Sequence, residues 1–233
     1  MSAEHAIGSD IAPVAALLAD RARAAMLTAL MDDRPLAAGE LARIAGVSAQ
    51  TASAHLARLL DGGMVTVVKQ GRHRYYRLSG TEVARLIEAL SRMSPPVEVR
   101  SLRQSRDARR LHLARTCYDH LAGEAGVALY AALCDGGMIE PGPEACAVTR
   151  KGEERLAGIG IDVPELRRAR RGLAGHCLDW TERRPHLNGA LGAALIARMI
   201  ELGWFERGST RRALTVTDAG LAGLADSFGC LLP

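Results

Sequence analysis

The chain has 233 residues, 48% hydrophobic and 24% charged, with a net charge of +4, the proportions of a globular protein able to bury one or two small cores. No apolar run reaches the length of a bilayer span, the opening MSAEHAIGSD lacks the basic and apolar parts of a signal peptide, and the five cysteines have no short paired spacing. These features argue against a membrane span, fit reduced thiols better than a disulfide scaffold and lead to the expectation of a cytoplasmic protein; the positive balance permits nucleic-acid binding without requiring it.

In chain order, the first patterned segment is GELARIAGVS, in which Leu41, Ile44 and Ala45 give a short amphipathic helix ending in a turn at Gly46. Ser48 then caps a second helix, where Leu56, Leu59 and Leu60 recur at helical spacing and leave Gln50, Thr51, Ser53, His55 and Arg58 on the other faces. A helix entering the major groove needs small residues for close approach, hydroxyl and amide groups for base edges and a cation for phosphate, and this segment supplies all three: Ser48, Gln50, Thr51, Ser53 and His55 are expected at base edges and Arg58 at phosphate. Gly62 and Gly63 stop it. Val65, Val67, Tyr75 and Leu78 then suggest two half-buried strands joined by KQGRHR, which sets Lys69, Arg72, His73 and Arg74 around a glycine turn as a basic tip for a DNA backbone or minor groove. Thr81 to Met93 carries Val83, Leu86, Ile87 and Leu90 on one helical face and ends before Ser94-Pro95-Pro96.

The segments LADRARAAMLTAL, ELARIAGVSAQTASAHLARLLDGGMV and GRHRYYRL, in this order and spacing, make residues Val14 to Met93 resemble the winged-helix domain of the ArsR/SmtB bacterial repressors. The resemblance implies a homodimeric repressor that sits on double-stranded operator DNA and leaves when an inducer binds, with the helix Thr81–Met93 at the dimer interface. It also implies that a metal sensor of this kind would carry cysteines in the first helix of the helix-turn-helix, or an Asp/His set in the dimer helix. Here those helices read ELARIAG and TEVARLIEALSRM, so neither usual site is present.

Beyond the two prolines lies a basic stretch with Arg100, Arg103, Arg106, Arg109 and Arg110, which reads either as a solvated face or as added phosphate contacts. From Cys117 the chain repeats itself: His120, Gly123, Gly126 and Leu129 align with His186, Gly189, Gly192 and Leu195 at an offset of 66 (186 − 120), and Val148-Thr149 through Gly152 is echoed by Val216-Thr217 through Gly220. Each copy is expected to read helix, glycine turn, strand, strand, helix, the two halves being related by a pseudo-two-fold axis. The whole is expected to be mainly α with small β-hairpins, an α+β chain. Its parts are a winged helix-turn-helix DNA-binding and dimerisation domain over 11–94, a basic linker or helix over 95–110 and a duplicated effector domain over 111–233.

Two clusters in the repeat invite chemistry. Cys117 and His120 are expected at i, i+3 on one helical face, and the second copy offers Cys177, so these residues could hold zinc, another thiophilic metal or trivalent arsenic; packing, thiol redox and a small-molecule pocket are the competing readings. Asp179 and Arg183 at i, i+4 suggest an ordinary helical ion pair, while Arg183 or Arg184 with Trp180, facing Tyr118 and His120, could line a pocket for an anionic or aromatic effector, with His186 beside it. No cofactor is required for DNA binding on this reading. A thiol enzyme built on Cys117 is the alternative class, against which stands the absence of any G-x-G-x-x-G between a strand and a helix.

Overall fold

The computed structural model describes residues 9–32, 34–71, 73–95, 101–143, 145–208 and 212–232, with only the backbone at 103 and 104; Arg72 and Arg100 of the expectations above lie outside the described residues. The fold is mixed α+β and divides into two compact units, Met1–Ile87 and Glu88–Pro233.

The first unit opens with α1 (Ala12–Leu18) and α2 (Arg21–Ala29), the latter capped by Asp20, whose carboxylate accepts from the Arg23 amide at 2.9 Å. A 3-10 turn over Leu30–Asp32 leads to β1 (Leu36–Ala37), α3 (Ala38–Ala45) and α4 (Ala49–Asp61). Gly46 sits between α3 and α4 at φ +67°, a left-handed conformation that costs glycine nothing and bends the chain into the helix-turn-helix. Ser48 caps α4 as its position implies, accepting from the Thr51 amide at 3.1 Å. β2 (Val65–Gln70) and β3 (His73–Leu78) form the hairpin, with β1 added to β3 to give the sheet order β1-β3-β2.

Register decides which hairpin residues reach the core. Val65 faces Leu78 and Val67 faces Tyr76, so Tyr76, 4% exposed, takes the inward position opposite Val67, while Tyr75 pairs with Val68 on the other face. With Met26, Leu27, Leu30, Met31, Leu41, Leu56 and Leu59 these residues make the core. α5 (Thr81–Met93) spans the division between the units.

The second unit contains α6 (Leu102–Leu113) and then two copies of one motif. The first copy is β4 (Arg115–Cys117), β5 (His120–Ala122), α7 (Glu124–Asp135), β6 (Ile139–Pro141), β7 (Cys146–Val148) and α8 (Arg150–Gly158), followed by the short α9 (Val163–Leu166). The second is β8 (Gly175–Leu178), β9 (Pro185–Asn188), α10 (Gly189–Glu201), β10 (Phe205–Arg207), β11 (Leu214–Val216) and α11 (Asp218–Phe228). Thr149 and Thr217 cap the last helix of each copy through the amides of Gly152 and Gly220.

The expected order of helix, glycine turn, strand, strand and helix is present in each copy, but a two-stranded hairpin precedes it, so Cys117 and His120 sit on facing strands rather than on one helical face. The hairpins are exchanged between the halves. Leu214 of β11 donates to Ala114 beside the first hairpin, Cys146 of β7 donates to Ala174 beside the second, and α7 packs on β9 while α10 packs on β5. A Cβ on Gly126 would lie 2.6 Å from the Leu121 carbonyl oxygen and 3.5 Å from Cβ of His186; on Gly192 it would lie 2.9 Å from the Leu187 carbonyl oxygen and 3.1 Å from Cβ of His120. The aligned glycines therefore let each half's helix close onto the other half's histidine. One continuous core results, running from Leu121, Leu129 and Leu133 through Leu187, Leu191 and Leu195 to Phe205 and Leu224.

Candidate nucleic-acid interface and a buried cysteine-histidine cluster

On α4 the side chains of Ser48, Gln50, Thr51, Ser53 and Arg58 are exposed, opposite a buried face of Ala52, Leu56 and Leu59. The Ser53 hydroxyl donates to the Ala49 carbonyl at 3.0 Å, and the Ser48 and Thr51 hydroxyls lie 2.9 Å apart, so the first turn is locally ordered. His55 departs from the expectation that it faces outward with them. Its side chain is 16% exposed and its Nδ1 lies 3.4 Å from Arg23 Nη1 and 3.8 Å from the Asp20 carboxylate. Arg23 in turn donates to the carbonyls of Leu17 and Ala16, so His55 belongs to a polar brace between α4 and the α1–α2 corner.

In the hairpin, Lys69 and Arg74 are direct cross-strand partners and both are exposed, as is His73 opposite Gln70. Like charges directly opposite on a strand pair are destabilising. The chain nevertheless concentrates two cations at this position.

In the second unit, Cys117 pairs with His120 across β4–β5 and Cys177 with His186 across β8–β9. One sulfur or nitrogen from each of the four lies within 4.8 Å of all the others. The two imidazoles stack with centroids 5.2 Å apart. His120 is 5% exposed, His186 1% and Cys117 2%, with Cys177 half-buried. The His120 Nδ1 bonds the Asp119 carboxylate at 3.2 Å, and Arg171 grips Asp119 through both terminal nitrogens. His186 Nδ1 stands 3.7 Å from Asp179, and Asn188 Nδ2 donates to the Cys177 sulfur at 2.9 Å. Both ring nitrogens of His186 are buried without a hydrogen-bond partner.

The electrostatics follow from this packing. The hydrogen bond from Cys117 holds the Cys177 thiol down to about 3 against the effect of burial, with His120 and Asn188 acting the same way; that bond and burial push Cys117 well up. Burial disfavours a His120 cation, but Asp119 and Cys177 outweigh it and raise its pKa, whereas burial and the neighbouring His120 push His186 down to about 3. Burial and neighbouring groups thus divide the cluster, drawing Cys177 and His186 down and Cys117 and His120 up.

Asp179 does not form the expected helical pair with Arg183. It accepts two bonds of 2.8 Å from Arg115 and others from the amides of Gly123, Thr181 and Glu182, with both charged side chains at most 1% exposed. Arg183 and Arg184 point to solvent, and Arg183 meets Asp179 only through its amide and the Asp179 carbonyl. Trp180 lies 4.6 Å from the Arg115 guanidinium and is 38% exposed, while Tyr118 is half-buried in the β4–β5 turn at φ +60°. The expected effector residues are thereby divided: His120 and His186 meet in the cluster, and Tyr118, Trp180 and Arg183 lie in the hairpin turns around it. A second group, His112, Glu124 and Glu182, is more exposed.

Residues 18–68 match a family described as a helix-turn-helix domain. The chain is 44% identical over 211 residues to the HTH-type transcriptional regulator YdfF of Bacillus subtilis (strain 168), covering 91% of this chain and 93% of that protein. The chain belongs to the HTH-type transcriptional regulators. The likeness to YdfF is longer than the first unit and so reaches into the second. Among solved structures, the regulator is similar to HlyU from Vibrio cholerae N16961, at 34% identity over 35% of this chain and 87% of that one, with a TM-score of 0.33. It is also similar to the homodimeric winged helix-turn-helix DNA-binding domain (fragment 1–100) of Mb0332 from Mycobacterium bovis, described as a possible ArsR-family regulator, at 33% identity over 37% and 86% of the two chains, with a TM-score of 0.32. No helix among the described residues is long and apolar enough to cross a membrane.

Proposed function

We propose that this regulator is a homodimeric repressor of the ArsR/SmtB type that binds a palindromic operator through α4 and the β2–β3 wing and is released by an effector bound in the C-terminal unit. The observation that carries the reading is the pairing of Lys69 with Arg74 on the wing, an unfavourable charge placement that a phosphate backbone would reverse, beside an exposed face of short polar side chains on α4. Ser48, Gln50, Thr51 and Ser53 are assigned to base edges, Arg58, Lys69 and Arg74 to phosphate, and His73 to the wing tip, with Arg72 its neighbour in sequence. His55 is reassigned to support of α4. Dimerisation is supported by Leu90 and Met93, 39% and 83% exposed and three residues apart on α5, an apolar stripe that a second copy would cover.

Hydroxyl-radical footprinting on the DNA upstream of the regulator's own coding sequence tests the reading. The expected pattern is two protected half-sites about one helical turn, 10–10.5 base pairs, apart. A single protected patch would contradict the dimeric arrangement, and uniform cleavage would contradict operator recognition.

A further inference from the structure

We propose that Cys117, His120, Cys177 and His186 form a tetrahedral site for one zinc-class divalent ion, and that this ion joins the two halves of the C-terminal unit. Each half contributes one cysteine and one histidine as a cross-strand pair, so the set of two sulfurs and two imidazoles is complete only when the hairpins meet. That donor set is a structural zinc set. The four candidate ligand atoms, within 4.8 Å of one another, need to close by only about 1 Å to reach the roughly 3.3–3.8 Å separations that tetrahedral zinc–nitrogen and zinc–sulfur bonds dictate.

Packing alone does not account for the cluster. Buried imidazole nitrogens are ordinarily hydrogen-bonded, and each one left without a partner costs about 1–3 kcal/mol. Here both nitrogens of His186 are buried without one. The surroundings have the form of a metal site's outer shell. A ligating histidine commonly turns its other nitrogen to a carboxylate. His120 turns Nδ1 to Asp119, and His186 has Asp179 3.7 Å from its Nδ1. Both carboxylates are held by arginines, Asp119 by Arg171 and Asp179 by Arg115, and Asn188 donates to the Cys177 sulfur. The site lies wholly within the second unit and is independent of the DNA-binding reading.

The test uses the full-length protein, reduced and stripped with a chelator, and then titrated with Zn(II) and with Co(II). One ion per chain is expected, with a tetrahedral, thiolate-ligated Co(II) absorption spectrum and a melting temperature that rises on loading. X-ray absorption at the zinc edge of the wild type should give two sulfur and two nitrogen neighbours. Cys177→Ser and His186→Gln should each weaken Zn(II) binding more than about 100-fold, and the milder Asp119→Asn, which removes only a positioning group, by about 10–100-fold. Zn(II) binding no tighter than about 10 µM, or an absorption edge showing oxygen and nitrogen neighbours alone as the exposed His112, Glu124 and Glu182 would supply, overturns the proposal. Both of these readouts need only the wild-type chain, so a variant that fails to fold does not obscure the answer.

Discussion

Arg115 and Asp179 show how differently a charge behaves once it is enclosed. A surface pair at i, i+4 is worth about 0.3–0.5 kcal/mol. Asp179 instead meets a fully buried guanidinium and two backbone loops, and removing it would strand a cation out of water. Asp179→Asn is expected to cost about 3–5 kcal/mol in urea denaturation of the C-terminal unit, and a loss below about 1 kcal/mol would show that the pair is not closed off from solvent. Nothing local in the sequence points to this partnership, because the two residues stand 64 positions apart and Asp179 has a nearer apparent partner in Arg183. His120 and His186, by contrast, are legible from the repeat, since residues that align in two related halves can meet on the axis between them. At the proposed DNA face, Arg74→Ala and Lys69→Ala are each expected to weaken all DNA similarly and to lower the slope of log affinity against log salt by about 1, while Gln50→Ala is expected to relax base preference by about 1–3 kcal/mol at one position. Unchanged slopes in anisotropy titrations of the two wing variants would remove the wing from the interface.

The elements of the first unit follow local rules closely enough to be read directly. The cap at Ser48, the left-handed Gly46 and the apolar spacing of Leu56 and Leu59 place α4, and the bounds of α5 coincide with the periodic segment ending before the prolines. The hairpins β4–β5 and β8–β9 are hidden for a physical reason. Three- and four-residue strands are too short to show a two-residue alternation, and the tight turn between Cys117 and His120 is made by Tyr118 at positive φ where asparagine or glycine would be the usual signal. In the second copy the paired cysteine and histidine stand nine residues apart instead of three, which shifts the cysteine offset to 60 (177 − 117) while the histidine offset stays at 66 (186 − 120) and obscures the equivalence of the two pairs. The element-level test lies in the glycines that admit the opposite hairpin. Gly126→Ala and Gly192→Ala set a methyl against the carbonyl of Leu121 or Leu187, backbone that cannot rotate aside, and each is expected to destabilise the unit by about 1–3 kcal/mol. Wild-type melting temperatures in both variants would mean that the helices and hairpins are not held this closely.

At the scale of the molecule, a helix-turn-helix unit is joined through α5 to a duplicated unit whose two halves exchange their hairpins and concentrate buried polar chemistry where they meet. The helix of each half packs on the other half's hairpin as well as its own, so each half completes the other's core. Leu90→Glu with Met93→Glu is expected to shift the solution mass from dimer to monomer in light scattering and to weaken operator binding with it; a dimer that survives both changes would place the interface elsewhere. Operator recognition by the first unit is the claim on which the proposed regulation depends. The most direct measurement is fluorescence anisotropy of the purified protein with DNA from upstream of its own coding sequence and with scrambled DNA, across a salt series. Binding at least about 1,000-fold tighter to the upstream DNA is expected, with affinity falling steeply as salt rises. Equal, weak binding to both DNAs would contradict operator recognition.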